Sequence, residues 1–245
     1  MKTPPAPSAE GTSRTSRRHE MPFTRLEVIV LSLKDGALSV LLGKREGAPY
    51  EGQWAIPGGV LRIDLDTGLD EAAARVATER LGTVPPYLRQ QEATGGQMRD
   101  PRAPWALSIV YRAVADADAL SVTPGKRLKA LDWWPVETVE AQARPAFDHA
   151  ALIRRAVQAL RVEVGRLELP FGALPDRFTL TELQGWCEGM LGRRLDKSSF
   201  RRRLEEHALL EEVPGEMRTG AFRPAKLYRA AGLTRANAPV SRRSR

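Results

Sequence analysis

A short segment rich in proline and glycine, about two-thirds of the way along the chain, separates two regions of different character. Residues 167–175 read Leu-Glu-Leu-Pro-Phe-Gly-Ala-Leu-Pro, a composition that interrupts both helices and strands. Before this segment, apolar β-branched runs alternate with turn signals, and after it two helical patterns precede a hairpin pattern. In a chain of 245 residues this predicts two domains. The apolar residues of the linker predict that it packs against the domains.

The region before the linker combines hairpin strands with helices. Strands are expected over residues 26–33, 38–42, 106–114 and 131–136, and helices over residues 71–81 and 147–164. Asp35-Gly36 is a two-residue hairpin signal between the first two strands, and Asp148 is a candidate N-cap for the second helix. Strands and helices mixed in this way predict an α+β fold rather than a doubly wound sheet.

The region after the linker has the order of a winged helix-turn-helix. A helix that begins near Thr179 carries Cys187 on its apolar face, and Asp196 is placed to cap a second helix over residues 197–207. The expected core face of the second helix is Phe200, Leu204 and His207. A hairpin with its tip at residues 215–220 and a return strand over residues 226–229 follow. Helix, turn, arginine-rich helix and hairpin predict a DNA-binding winged helix.

The net charge of +8 lies mostly in the last third of the chain. Residues 23–169 carry 19 basic and 19 acidic side chains, whereas residues 170–245 carry 15 basic and nine acidic ones, a net charge of +6. This asymmetry favours a polyanion as the partner of the C-terminal region, although a solvated basic surface would look the same.

The remaining composition predicts a cytoplasmic protein. Cys187 is the only cysteine, so no intramolecular disulfide can form, and no apolar run is long enough for a membrane span or a secretory signal. Residues 1–22 are expected to be a disordered arm and residues 233–245 a basic disordered tail.

One motif in the first region resembles the approach to a Nudix box. Residues 44–59 include Gly-Gln-Trp-Ala-Ile-Pro-Gly-Gly, where the family usually has Gly-x-Trp followed by Pro-Gly-Gly. The box itself ends in Arg-Glu-U-x-Glu-Glu-x-Gly-U, with U aliphatic, and residues 75–83 align with it as Arg-Val-Ala-Thr-Glu-Arg-Leu-Gly-Thr. The resemblance implies a Nudix fold, with a mixed sheet between helices.

The box departs from the family pattern at the residues that hold metal. Val76 and Arg80 replace two glutamates, Thr67 occupies the upstream glutamate position, and the loop after Gly59 is two residues too long. Only Glu79 is retained, and hard divalent cations need several oxygen ligands. We therefore expect no catalytic residues, no metal and no hydrolase activity. A second possibility is a metal site rescued by acids of the lengthened loop, namely Asp64, Asp66, Asp70 and Glu71.

Loss of catalysis leaves room for binding. Glycine backbone lets a diphosphate approach the main chain, and arginine donates in a fork that matches phosphate oxygens. The residues expected to bind a nucleotide effector are Arg45, Gly58, Gly59, Arg99 and Arg102.

Both regions resemble the NrtR family of Nudix-related transcriptional regulators. The stretches that carry the resemblance are GQWAIPGG, RDPR and AFDHAALI before the linker, and FTLTELQ, LGRRLDKSSFRRRL and RPAKLYR after it. The resemblance implies a homodimeric bacterial repressor, commonly of NAD-metabolism genes, that senses a nucleotide such as ADP-ribose. It also implies a Nudix-like effector domain over residues 23–166 and a winged helix over residues 167–232. Some relatives respond instead to sugar-related compounds.

The predicted recognition helix has one outermost arginine. On a helical wheel with Phe200 and Leu204 inward, Arg202 points directly away from the core and is expected to read a base. The other residues expected to contact DNA are Lys197, Ser198, Ser199, Arg201 and Arg203 on this helix, and Arg223 and Lys226 at the wing. The expected target is a pseudo-palindromic operator in double-stranded DNA.

Two other functions compete with a ligand-responsive regulator. One is a Nudix pyrophosphatase with a basic appendage, against which Val76 and Arg80 argue, and the other is a winged helix that binds protein, against which the Arg201-Arg202-Arg203 run argues. The operator, the regulated genes, and the identity and sign of the effector are not encoded in any pattern of the sequence.

Overall fold

The computed structural model of the protein describes residues 21–219 and 224–231. In chain order its elements are β1 (Phe23–Lys34), β2 (Ala37–Arg45), β3 (Trp54–Ala55), β4 (Gly58–Val60), α1 (Leu69–Leu81), β5 (Arg89–Asp100), β6 (Ala103–Val114), β7 (Leu128–Pro135), α2 (Val139–Gln142), α3 (His149–Gly165), a 3-10 turn (Phe171–Ala173), α4 (Leu180–Leu191), α5 (Lys197–Glu206), β8 (Leu210–Arg218) and β9 (Ala225–Ala230). The predicted α+β fold, a mixed sheet with helices followed by a winged helix, is confirmed.

The centre of the first region is a mixed sheet built around β1. This strand pairs in parallel with β6 and antiparallel with β2 and β4. Strands β3 and β7 pair antiparallel with β2, and β5 pairs with β6 at the far edge of the sheet. The β1–β2 hairpin turns at Asp35 and Gly36, both with left-handed backbone, as the predicted two-residue turn requires. Residues 25–32 are all buried because helices cover both faces of the sheet.

Each sheet face has its own hydrophobic layer. Helix α1 packs Ala72, Ala73, Val76, Ala77 and Leu81 against one face. Helix α3 packs Leu152, Ile153, Ala156, Val157, Leu160 and Val164 against the other. Alternate residues of β1 reach the two layers, so that Val28 and Val30 face α1 whereas Ile29 and Leu31 face α3.

The winged helix begins with two capped helices, as expected from the sequence. Thr179 and Glu182 form a reciprocal capping box at the start of α4, and the Asp196 carboxylate accepts from the Ser199 N–H at the start of α5. Cys187 is fully buried, and burial raises the pKa of its thiol to about 12, so it is a core residue.

The linker packs against both regions, as predicted. Leu167, Ala173 and Leu174 are buried in the same core layer as α3, and this layer continues without a break into α4 and α5. Two arginines also cross between the regions: Arg161 of α3 donates to the Met190 carbonyl (3.4 Å), and Arg203 of α5 donates to the Gly165 carbonyl (2.9 Å). The winged helix is therefore docked on the helix α3 layer.

Two local predictions were wrong, and one long strand was missed. His207 is exposed rather than part of the core of α5, because the helix ends at Glu206 and its last turn leaves the core. Residues 215–218, predicted to lie at the hairpin tip, belong instead to strand β8, where Arg218 pairs with Ala225 and Gly215 occupies an irregularity. Strand β5 was not predicted, because its exposed edge sequence is rich in Gln and Gly. No helix within residues 21–219 and 224–231 is long and apolar enough to span a bilayer.

Candidate effector site and DNA-binding surface

A cavity of about 330 Å³ opens where β1, β2 and β4 meet the C-terminal end of α1. Its wall is rich in cationic side chains. Five arginines and one acid line it among other residues, namely Arg25, Arg45, Arg80, Arg102, Arg127 and Glu46. A concave site with convergent guanidinium groups is suited to a phosphate-bearing ligand.

Two of the five arginines are neutralised by buried carboxylates. Arg25 donates to Glu27 (2.9 Å), and Arg102 forms a two-pronged contact with Asp100 (2.8 and 2.5 Å). These ion pairs fix the positions of both guanidinium groups and leave little of their charge for a ligand.

Arg45 and Arg80 are held by carbonyl groups instead. Arg45 donates to the Pro49 carbonyl (2.7 Å), and Arg80 donates to the carbonyls of Gly58 (2.7 Å) and Lys126 (2.9 Å). Burial lowers the pKa of Arg45, and the positive charges of Arg25 and Arg102 lower it further. Burial also lowers the pKa of Arg80, partly offset by Glu79. Both arginines remain protonated at neutral pH, so the cavity favours anions.

Two aromatic rings lie next to arginines that line the cavity. Phe147 lies 5.1 Å from the Arg45 guanidinium and 5.8 Å from that of Arg102, and it packs edge-on against Tyr50 (4.6 Å between ring centroids). Tyr50 and Phe147 both adopt left-handed backbone, which bulky residues rarely do. The fold thus holds two apolar rings beside the cationic wall.

A buried polar layer lies behind the cavity. His149 accepts a hydrogen bond at Nδ1 from the Ile56 N–H (2.9 Å), and burial lowers its pKa to about 4, so its ring is neutral at pH 7. Its Nε2 lies 3.9 Å from Glu27, whose Oε2 atom is buried without a hydrogen-bond partner in the described structure. The other oxygen of the same carboxylate, Oε1, accepts from Arg25.

The predicted effector residues occupy three different environments. Arg45, Gly58 and Arg102 line the cavity. Arg99 is instead committed to Asp148 (2.6 and 2.8 Å) and to the Ser108 hydroxyl (2.6 Å). Asp148 does precede α3, but its side chain binds Arg99 and does not cap the helix. Gly59 pairs with Leu26, and a Cβ there would lie 2.8 Å from a Val76 methyl, so this glycine permits β4 to pack on α1.

The residues of the degenerate box form an ion-pair network. Arg75 binds Asp66 (2.6 and 2.8 Å) and Glu79 (3.3 Å), and Glu79 also lies 4.0 Å from Arg80 and 3.9 Å from Lys126. Three cations therefore surround the one retained glutamate.

The acids of the lengthened loop are also engaged. Asp64 pairs with Arg62 (2.8 and 2.5 Å), Asp70 accepts from the Tyr111 hydroxyl (2.5 Å), and Glu71 accepts from Thr67. Among the residues that the structure describes, no three His, Cys, Asp or Glu side chains are grouped to hold a metal ion. The donor set around Glu79 does not fit the divalent cation that the Nudix fold implies.

Three predicted DNA-contact residues on α5 face solvent. Lys197 and Ser198 are exposed at the start of the helix, and the Arg202 side chain is 72% exposed, 3.5 Å from Glu206. Ser199 and Arg201 are half-buried, and the Nε atom of Arg201 is buried without a partner in the described structure. The helix thus presents its N-terminal turn and Arg202 outward.

The remaining predicted DNA-contact residues are placed differently. The Arg203 guanidinium is turned toward Gly165 at the end of α3. At the wing, Lys226 pairs with Glu212 (2.9 Å). Arg223 lies outside the described residues.

Comparison with known proteins identifies both regions. Residues 23–156 match the NUDIX domain, and residues 170–230 match the NrtR DNA-binding winged helix domain. The ADPR responsive transcriptional repressor NtrR of Acinetobacter baylyi is 34% identical over 210 residues, which cover 86% of this chain and 82% of the relative. The chain belongs to the NrtR family.

Two solved structures of an NrtR protein from Shewanella oneidensis are similar to this chain. The first, a complex with a 27mer DNA, has a TM-score of 0.72 and 34% identity, and the match covers 84% of this chain and 93% of that one. The second is the NUDIX domain of the same protein complexed with ADP ribose, with a TM-score of 0.54 and 29% identity over 58% of this chain and 90% of that one. The NrtR resemblance noted in the sequence is therefore confirmed.

The sequence interpretation did not assign Arg25, Arg80 or Arg127 to the cavity, and it did not identify the aromatic rings next to it. One signal for Arg25 was present, because Arg25 and Glu27 are charged residues on one face of an otherwise apolar strand. For Arg80, the sequence indicated that a positive charge replaces a metal ligand, but not that this side chain lines the cavity.

Proposed function

We propose that this protein is a DNA-binding transcriptional repressor whose Nudix domain binds ADP-ribose or a closely related dinucleotide. The observation that carries the proposal is an arginine-lined cavity in a domain that shares its hydrophobic core with a winged helix. On that winged helix, Arg202 faces outward. The relatives support it, since one is named for its response to ADPR and another was crystallised with DNA and, as its NUDIX domain, with ADP ribose. By family resemblance, the regulated genes are those of NAD metabolism, and the protein acts in the bacterial cytoplasm.

In this proposal, different residues bind the charged and the apolar parts of the ligand. Arg45 and its cationic neighbours receive the diphosphate, because arginine donates to two phosphate oxygens at once. The rings of Phe147 and Tyr50 lie beside the cations, where an apolar base or sugar face would pack. Arg102 and Gly58 line the same wall, whereas Arg99 supports the site from behind through Asp148.

We propose further that bound nucleotide is not hydrolysed. A Nudix hydrolase needs several carboxylates to hold the cations that activate water. Here Glu79 is surrounded by Arg75, Arg80 and Lys126, and those cations compete with any metal for its oxygens. The site is therefore suited to binding and release of an intact ligand.

A DNA-binding measurement on the full chain tests the proposed function. A fragment enriched from the host genome by binding to the protein is titrated with and without ADP-ribose, using wild type and Arg45→Ala. We expect ADP-ribose to change the DNA affinity of the wild type and of Arg155→Ala, a control outside the cavity that pairs with Glu92, but not that of Arg45→Ala. DNA binding that ADP-ribose leaves unchanged in the wild type would refute this effector.

The same samples test the absence of catalysis. With ADP-ribose and Mg²⁺ or Mn²⁺, we expect no enzyme-like formation of AMP. Turnover of about 1 s⁻¹ or faster would identify the protein as a hydrolase.

A further inference from the structure

Arg80 is a buried cation in the position where the Nudix box has a metal-binding glutamate. Its side chain is 12% exposed, and it reaches the cavity from the last turn of α1. Its Nε and Nη1 groups are held by the carbonyls of Gly58 and Lys126. Neither of these acceptors carries a formal charge, so the hydrogen bonds orient the guanidinium without neutralising it.

The nearby acid Glu79 compensates the charge of Arg80 only in part. Glu79 lies 4.0 Å away, beyond hydrogen-bond distance, and it is shared with Arg75 (3.3 Å) and Lys126 (3.9 Å). Arg75 also binds Asp66 (2.6 and 2.8 Å), so these two carboxylates face three cations, and no carboxylate is dedicated to Arg80. Burying an uncompensated charge is costly, and such a cost is typical of positions where a ligand supplies the opposite charge.

The loop that holds Arg80 is itself fixed to α1. The N–H groups of Thr123, Gly125 and Lys126 donate to the last carbonyls of α1, those of Leu81, Arg80 and Glu79 (2.9–3.0 Å). A Cβ at Gly125 would lie 2.1 Å from the Glu79 carbonyl oxygen, so only glycine allows this close contact. The Lys126 carbonyl is consequently a rigid acceptor, and the Arg80 guanidinium is preorganised at the cavity wall.

We propose that Arg80 is a diphosphate ligand that takes the electrostatic place of the divalent cation, so that effector binding needs no metal. This inference rests on the proposed function for the identity of the effector. In a Nudix site the cation neutralises the diphosphate, and here a fixed guanidinium next to Arg45 and Arg127 provides positive charge at the same wall. The change from glutamate to arginine both excludes the metal and replaces its charge.

Calorimetric titration with ADP-ribose tests the inference on the wild-type protein first. We expect the same dissociation constant in excess EDTA and in millimolar Mg²⁺, because the protein itself supplies the positive charge. Binding that disappears in EDTA and returns with Mg²⁺ would overturn the inference, and this comparison needs no variant.

Two substitutions then test whether the charge of Arg80 is responsible. We expect Arg80→Gln to weaken ADP-ribose binding in EDTA by about tenfold or more, the range of a hydrogen bond to a charged group. Arg80→Lys should retain a substantial part of the affinity. Arg62→Gln, which removes an exposed arginine from the loop outside the cavity, should bind as the wild type does. Wild-type affinity in Arg80→Gln would refute the role of Arg80.

Inorganic pyrophosphate separates this inference from the proposed effector. If ADP-ribose fails to bind the wild type, the proposed effector is wrong. Pyrophosphate in EDTA could still raise the unfolding temperature of the wild type and of Arg62→Gln but not that of Arg80→Gln. That result would support Arg80 as a diphosphate ligand. A pyrophosphate response that is equal in all three proteins would exclude it. Thermal unfolding without ligand identifies any variant that fails to fold, in which case Arg80→Lys and the EDTA comparison decide.

Discussion

At the scale of single residues, the arginines of this chain have distinct roles that their neighbours assign. Arg102 and Arg25 are paired with acids, Arg45 and Arg80 are held by carbonyls at a cavity, and Arg202 projects into solvent. The same side chain thus serves as a structural ion pair, as a candidate ligand for anions and as a candidate reader of DNA. Which role applies depends on the acceptors within reach.

Arg202→Ala should reduce operator recognition without affecting folding. Its side chain is the outward group of α5, and an arginine that contacts guanine O6 and N7 contributes about 1–3 kcal/mol of base discrimination. We expect the ratio of operator affinity to scrambled-DNA affinity to fall correspondingly, and base preference to relax at one position in each half-site. Affinity measured across a salt series for both DNAs checks this. An unchanged ratio would mean that α5 is oriented differently on DNA.

His149 should make the fold less stable in mild acid. Its folded pKa of about 4 lies below the unfolded value of roughly 6.5, so the unfolded state binds the proton first as the pH falls. The neutral His149 therefore contributes to the free energy of unfolding above pH 6.5. This contribution, on the order of 3 kcal/mol in total, is lost between about pH 6.5 and 4. Among the charged neighbours of the ring, Arg25 and Arg99 disfavour its protonation, whereas Glu27 and Asp148 favour it.

Urea unfolding at a series of pH values measures this contribution. In His149→Gln, whose side-chain oxygen still accepts from the Ile56 N–H, we expect a weaker pH dependence between pH 6.5 and 4. His207→Gln is the matched control, because His207 is exposed, and it should retain the wild-type dependence. Parallel curves for wild type and His149→Gln would contradict a neutral buried His149.

At the scale of secondary structure, α3 connects the two regions of the molecule. Its N-terminal end carries His149 behind the cavity and follows Asp148, which binds Arg99. Its C-terminal end at Gly165 accepts a hydrogen bond from Arg203 of the recognition helix. Helix α3 therefore contacts both the surroundings of the cavity and α5, the predicted recognition helix.

Arg203→Ala should consequently destabilise the docked winged helix. The guanidinium of Arg203 donates a hydrogen bond to the Gly165 carbonyl at the end of α3. Loss of a hydrogen bond to a charged group costs on the order of 2 kcal/mol. We expect chemical denaturation to show this loss for Arg203→Ala and none for Arg202→Ala. Unchanged stability together with weaker binding to all DNA sequences would instead support the DNA contact that the sequence predicts for Arg203, through phosphate groups.

At the scale of the whole molecule, charge separates the two functions. Residues 23–169, which are neutral overall, hold the cavity, whereas residues 170–245, which include the winged helix, carry a net charge of +6. Such a distribution gives DNA binding a strong salt dependence, because released counterions accompany each phosphate contact.

We expect the operator to contain two half-sites related by the two-fold symmetry of a homodimer. If the chain binds DNA as a homodimer, footprinting should show two half-sites separated by about one helical turn, 10–10.5 base pairs, or a multiple of it. Light scattering of the protein on that DNA should give two chains per operator. A single asymmetric half-site occupied by a monomer would rule out the dimer.

The sequence determined the local features. The Asp35-Gly36 turn, the Thr179 and Asp196 caps, the helices, most strands and the winged helix order depend on residues close together in the chain, and patterns over a few residues carry them. Family motifs added the Nudix fold. Polar strand β5 was missed because its position depends on pairing with β6 rather than on its own composition.

Only the tertiary structure decided which arginine faces which partner. Arg99 meets Asp148 from 49 residues away, Arg203 meets Gly165 from 38, and Arg80 meets Lys126 from 46. Each of these hydrogen bonds has short reach and strict geometry, so a displacement of a few ångströms would exchange one acceptor for another. A sequence indicates that an arginine is present, but the packing of sheet and helices fixes whether its charge is neutralised in the structure or left available for a ligand.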